Sequence, residues 1–162
     1  MAFDLIAELE SLVDAFEREH VEYAVCGGLA LGYHGFVRAT KDIDVLVRET
    51  RVLDALRIAR ASGFDIPARK ITFGLAAGTP REVQRVSKLD PITGHLLTLD
   101  LLVVAPDLEE VWNTRIVIEP VAGKTMSIVS REGLATMKRM AGRPQDLVDL
   151  QRLETLDDDE EA

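Results

Sequence analysis

Gly27-Gly28-Leu29-Ala30-Leu31-Gly32-Tyr33-His34-Gly35-Phe36-Val37-Arg38-Ala39-Thr40-Lys41-Asp42-Ile43-Asp44-Val45-Leu46-Val47 decides how this chain is read. It is a glycine turn, a short connection carrying basic residues, then two aspartates flanking an isoleucine in an otherwise apolar strand. Strand side chains alternate faces, so Asp42 and Asp44 point the same way about 7 Å apart along the backbone. Ile43, Val45 and Val47 point to the opposite face and can fill a core. Buried without a partner, each carboxylate carries a desolvation cost and an upward pKa shift. A cation therefore belongs opposite them, and divalent metal ions carrying a nucleoside triphosphate are the leading reading.

The glycines support it. Gly27-Gly28 leaves a predicted strand over Val21–Cys26 and enters a short helix running through Tyr33. Free backbone N–H groups at such a junction can dock a phosphate, and glycine permits the close approach. A third acid stands in His95-Leu96-Leu97-Thr98-Leu99-Asp100-Leu101-Leu102-Val103-Val104, where Asp100 is the only acid in a long apolar strand. Leu97, Leu99, Leu101 and Val103 face away from it. If this strand neighbours Asp42–Val47, the three aspartates form one cluster suited to Mg2+ or Mn2+ and to phosphoryl displacement.

The rest of the chain reads as an α+β, mixed α/β domain: a mixed sheet flanked by helices. Apolar side chains at Leu5, Ile6, Leu9, Leu12, Val13 and Phe16 predict a helix over 3–19. A second helix is expected over 50–62, and strands over 69–76, 81–89 and 95–104. Residues 115–119 and 124–129 predict a hairpin around Val121-Ala122-Gly123. Two helices close the domain over 131–141 and 144–156, with Ser130 as N-cap of the first and Pro144 in the first turn of the second. Residues 1–156 are read as one domain and 157–162 as an acidic, disordered tail.

Composition narrows the function. The chain has 162 residues, 47% of them hydrophobic, enough for one packed core. A net charge of −9 argues against broad nucleic-acid binding, whose affinity comes from neutralised phosphates. A small molecule or a protein is the favoured partner. The single cysteine, Cys26, excludes an internal disulfide and suits a reducing cytoplasm. Neither a signal peptide nor a membrane-spanning apolar run is visible, so no membrane partner is expected.

Gly-Gly, thirteen residues, Asp-Ile-Asp and a third aspartate on a later strand resemble the nucleotidyltransferase superfamily with the DNA polymerase beta fold. His34-Gly35 followed by Arg38-Ala39-Thr40-Lys41-Asp42 is similar to small bacterial members related to AbiEii-type toxins and minimal nucleotidyltransferases of toxin–antitoxin systems. So is the stretch from Met137-Lys138 through Arg143, Asp146, Asp149 and Leu150. The resemblance covers residues 20–48, 95–104 and 130–153. It implies Mg2+-dependent transfer of a nucleoside monophosphate from a nucleoside triphosphate to a hydroxyl of a protein, a small molecule or an RNA end. Asp42, Asp44 and Asp100 would bind metal, with Asp100 also helping to deprotonate the acceptor. Gly27, Gly28, Arg38, Thr40, Lys41 and Lys138 would contact the nucleotide. The family more often has Gly-Ser at the turn, where this chain has Gly28. That departure motivates a second reading, a non-catalytic interaction protein, such as one partner of a toxin–antitoxin pair.

Each residue also has a plainer role open to it. Asp42 and Asp44 can pair with Arg38 or Lys41 at a strand end, and Asp100 can be a buried acid bridged to an arginine. Lys138 can lay its stem on the core with its ammonium in solvent or reach a triphosphate. Arg143, Asp146 and Asp149 read as caps and local pairs, and Cys26 as a packed core residue.

Overall fold

The computed structural model describes residues 4–36, 39–68, 71–73 and 81–161. Helix α1 (Leu5–Arg18) begins at Asp4, whose carboxylate accepts the Ala7 N–H at 3.1 Å, satisfying one of the orphan donors of a helix start. Its Leu9, Leu12, Val13 and Phe16 are buried, as their spacing demands, each contributing about 1.5–3 kcal/mol. Strand β1 (Ala24–Cys26) passes without a linker into α2 (Gly27–Tyr33), and β2 (Asp42–Val47) follows. A 3-10 turn leads into α3 (Val52–Ala61), followed by β3 (Ile66–Pro67), β4 (Ile71–Phe73), β5 (Arg81–Leu89) and β6 (Leu96–Val103). Then come α4 (Glu109–Asn113), the hairpin β7 (Ile116–Val121) and β8 (Lys124–Ile128), α5 (Arg131–Ala141) and α6 (Pro144–Glu161).

The strands form one mixed sheet in the order β3-β5-β6-β2-β1-β8-β7, with β4 also on β5. β2 is central: antiparallel to β1 on one side and parallel to β6 on the other. A parallel neighbour needs a crossover, and α3 lies on that crossover. One side of the sheet buries Ile43, Val45, Leu99 and Leu101 completely. α1 and α3 pack together and against β2 and β6 respectively, while α5 contacts α2, α4 and α6. The fold is thus the α+β arrangement expected.

Two differences from the sequence reading have physical causes. The α4 turn was not foreseen because it is short and follows Pro106. Its signal was the spacing of Leu108, Val111 and Trp112, all buried. The last helix runs to Glu161, past the end expected at 156. No Pro or Gly after Pro144 stops it. The strand expected over 69–76 is present as Ile71–Phe73; the rest of that range lies outside the described residues. Ser130 does cap α5, accepting the Gly133 N–H at 2.9 Å, and Gly142 ends it at φ 63°, the left-handed conformation glycine tolerates. Among the described residues no helix is long and apolar enough to cross a membrane.

Candidate active site

Strand register places Cys26 opposite Asp44, Asp44 opposite Asp100, and Asp100 opposite Arg85. Directly paired residues share a face of the sheet. The four side chains therefore form one row across β1, β2, β6 and β5. Asp42 lies two residues back on β2, on the same face, beside Thr98. All three aspartates line one cleft of about 600 Å³, between this face of the sheet and residues of α5 and α6.

Gly27 permits the central acid its position. Its φ is +67°, and a Cβ there would lie 2.2 Å from Asp44 Oδ2 and 2.8 Å from Asp44 Cγ. The Asp44 carboxylate thus occupies the volume any other residue's side chain would need.

The electrostatics follow from three acids sharing a partly dry site. Asp44 is pushed up to about 7, first by burial, then by the neighbouring Asp100 and Asp42 charges. Lys138 and Arg143 pull it back only in part. Asp42 is also raised, by burial and then Asp100, against the opposing pull of Arg85 and Lys41. Burial and the Asp44 charge push the Cys26 thiol well up, so it is an inert core residue. Asp100 is compensated differently: Arg85 Nε donates to its Oδ1 at 2.7 Å and Nη2 to its Oδ2 at 2.9 Å. The Asp100 side chain is 9% exposed and that of Arg85 33%.

The opposite wall of the cleft is built around Lys138. Its ammonium lies 3.0 Å from Asp149 Oδ2 and 3.4 Å from Asp146 Oδ1, and the residue is 5% exposed. Asp146 also accepts from the Arg143 backbone N–H at 3.1 Å and from its Nε at 2.6 Å. Burial works against its charge, but Arg143 and Lys138 together hold its carboxyl below the usual range. Gln145 Nε2 donates to Asp149 Oδ1 at 2.9 Å. This network clamps α5 to α6 beside the acids.

The structure thus brings Asp42, Asp44, Asp100, Gly27, Gly28, Thr40, Lys41 and Lys138 to one cleft. Arg38 lies outside the described residues. One expectation is corrected: the Lys138 ammonium does not reach solvent, because two buried carboxylates satisfy it within the wall. Arg143 and Asp146 pair locally as expected, and they also line the cleft. Arg85 was missed. Its signal was a cation between Val83 and Ser87 on one face of β5, both buried, but Arg81, Glu82 and Lys88 in the same strand masked it.

Among the described residues no group of three or more His, Cys, Asp or Glu side chains is arranged to hold a metal ion. Both Asp100 oxygens are taken by Arg85. Asp42 and Asp44 do fit one: they are oxygen donors on one face, raised by burial and like charge and only partly offset by the nearby cations among the described residues. Two carboxylates with room for phosphates are what Mg2+ takes.

Residues 2–158 match the model of a family described as nucleotidyltransferase of unknown function (DUF6036). No curated protein matches by sequence. Among solved structures, TM1012 from Thermotoga maritima, a candidate nucleotidyltransferase, aligns at TM-score 0.60 and 15% identity, covering 93% of this chain and 92% of that one. ANT(2")-Ia in complex with adenylyl-2"-tobramycin aligns at TM-score 0.61 and 15% identity, over 93% of this chain and 87% of that one. JHP933 from Helicobacter pylori aligns at TM-score 0.55 and 19% identity, over 91% of this chain and 63% of that one. At these identities the likeness is one of fold.

Proposed function

The chain belongs to this nucleotidyltransferase family, and on that premise we propose that it transfers a nucleoside monophosphate from a nucleoside triphosphate to a hydroxyl acceptor, using Mg2+ or Mn2+. The observation that carries the reading is the only partly compensated pair Asp42 and Asp44 beside Asp100, on a cleft floor where Gly27 lets the Asp44 carboxylate lie against the backbone. Asp42 and Asp44 would hold the metal. When bound, it neutralises phosphate charge and polarises the phosphoryl group. Gly27 and Gly28 border the phosphates, and Thr40 and the exposed Lys41 contact them at the rim, with Arg38 assigned to the same role. Lys138 acts on the nucleotide through the potential it adds beside Asp44. Asp100, once an oxygen is free, takes the acceptor proton. The acceptor oxygen then forms its bond to the α-phosphorus as the bond to the bridging oxygen breaks, and pyrophosphate leaves.

A small-molecule or protein hydroxyl suits the acceptor better than an RNA end, because the net charge of −9 repels a polyanion. The fold neighbour bound to adenylyl-2"-tobramycin carries its nucleotide on a small molecule. The buried free Cys26 and the nucleotide substrate fit a cytoplasmic protein. The test is incubation with each of the four α-labelled triphosphates, Mg2+ or Mn2+ and a host lysate. Label should appear on an acceptor and be lost in Asp42→Ala and Asp44→Ala. Absence of both triphosphate binding and transfer under every condition would overturn the proposal.

Two observations favour a second reading, a non-catalytic partner protein of a toxin–antitoxin pair: Arg85 occupies both oxygens of Asp100, and Gly28 stands where the family more often has serine. That reading requires cellular effect and partner binding to survive Asp44→Asn unchanged.

A further inference from the structure

We propose that Arg85 is a positioning residue that closes Asp100 to divalent metal until a triphosphate arrives and takes the guanidinium in exchange. The inference rests on the nucleotide-site reading above.

The geometry of the pair motivates it. Asp100 is the innermost acid of the row by exposure, and both its oxygens receive donors from one guanidinium at 2.7 and 2.9 Å. A carboxylate has lone pairs to spare for a further ligand. A dication seated there, however, would stand against a fixed positive charge in a partly desolvated site, where repulsion is screened far less than in water. Asp100 therefore serves as a metal ligand only when Arg85 leaves.

Arg85 is the partner able to leave. Its side chain is 33% exposed against 9% for Asp100, and it lines the cleft. Its position on β5, across from Asp100, lets the head swing along the cleft while the strand pairing stays intact. A guanidinium fork fits phosphate oxygens as well as carboxylate oxygens. The cleft without ligand holds Asp42, Asp44 and Asp100 around it, all of which favour the charged guanidinium. A triphosphate adds competing anionic oxygens in the same space. It therefore stabilises the exchanged arrangement and not the closed one, the differential affinity a ligand needs to shift a conformational equilibrium. The consequence is an order of assembly: metal alone meets only Asp42 and Asp44, and the third carboxylate is released by the nucleotide.

The experiment is a titration of the full chain with Mn2+ alone, read by the loss of the free-ion EPR signal. Wild type, Arg85→Ala, Arg85→Lys and Arg85→Ala/Asp100→Asn are compared, with circular dichroism as a check on folding. Arg85→Ala should bind Mn2+ at least about tenfold more tightly than wild type, since a nearby cation has been removed. The gain should vanish in the double variant, because it acts through Asp100. Should Arg85→Ala fail to fold, Arg85→Lys keeps the charge but loses the fork, and a smaller gain is expected from it. Unchanged or weaker Mn2+ binding in the folded Arg85 variants, or a gain that persists without Asp100, overturns the inference. If wild type binds triphosphate while that result is obtained, only the Arg85 exchange falls. If no variant binds Mn2+ and wild type binds no triphosphate, the nucleotide-site reading falls and takes the exchange with it.

Discussion

Replacing Asp44 by Asn should make the metal-free protein more stable while destroying its site. Asp44 titrates at about 7 in the folded chain against an ordinary value of 3.8. The folded state therefore holds the proton more tightly than the unfolded state. Stability is fully present below the unfolded value and is lost as pH rises through the folded one. That gap, at about 1.4 kcal/mol per pH unit, puts the loss near 4 kcal/mol once pH exceeds 7. Asn removes the charge but introduces an amide whose hydrogen bonds are not all met, a cost of about 1–2 kcal/mol. A net gain of about 2–3 kcal/mol at pH 8 is expected, or roughly 5–10 °C in melting temperature for a chain of this size. Because the two titration limits bracket the range, the gap between variant and wild type should widen by about 2 kcal/mol from about pH 5.5 to 8. Urea unfolding in EDTA at a series of pH values measures it. An Asp44→Asn protein no more stable than wild type at pH 8, or a gap indifferent to pH, would refute the argument that burial and like charge strain this carboxylate.

Gly27→Ala combines a left-handed φ with a Cβ 2.2 Å from Asp44 Oδ2, so it should cost at least about 1–2 kcal/mol of stability and weaken triphosphate binding. Denaturation paired with calorimetric titration reads both, and wild-type behaviour in each would contradict the close approach. Lys138→Met leaves Asp146 and Asp149 buried without their shared cation and should cost about 3–5 kcal/mol; adding Asp149→Asn should recover part of it, which a denaturant midpoint will show. Arg143 and Lys138 lower the Asp146 pKa, so that carboxylate stabilises the fold above its ordinary value and the contribution fades as pH falls through the folded one. Asp146→Asn should accordingly lose stability at neutral pH and approach wild type in acid, as thermal melts at several pH values would reveal.

Much of this was legible in order of side chains alone. Alternation placed Asp42 and Asp44 together and sent Ile43, Val45 and Val47 to the other face. The helical period marked α1, α3 and α5, and Gly27-Gly28 ahead of Asp-Ile-Asp pointed to residues that line one cleft. These are properties of short spans, where backbone geometry ties spacing to direction. The partners of the charged groups were a different matter. Arg85 meets Asp100 only because β5 and β6 pair in one register, and a shift by one residue would turn the guanidinium to the other face. Lys138 is buried rather than solvated only because α6 folds back to set two carboxylates against it. The central role of β2 depends on β6 arriving parallel beside it through a crossover of some fifty residues. Local sequence set which residues are acidic, basic or free of side chain and which way each strand directs them. Tertiary pairing chose which opposite charges meet, because residues far apart in the chain are brought to hydrogen-bonding distance by register and packing, and neither is written in their own neighbourhoods.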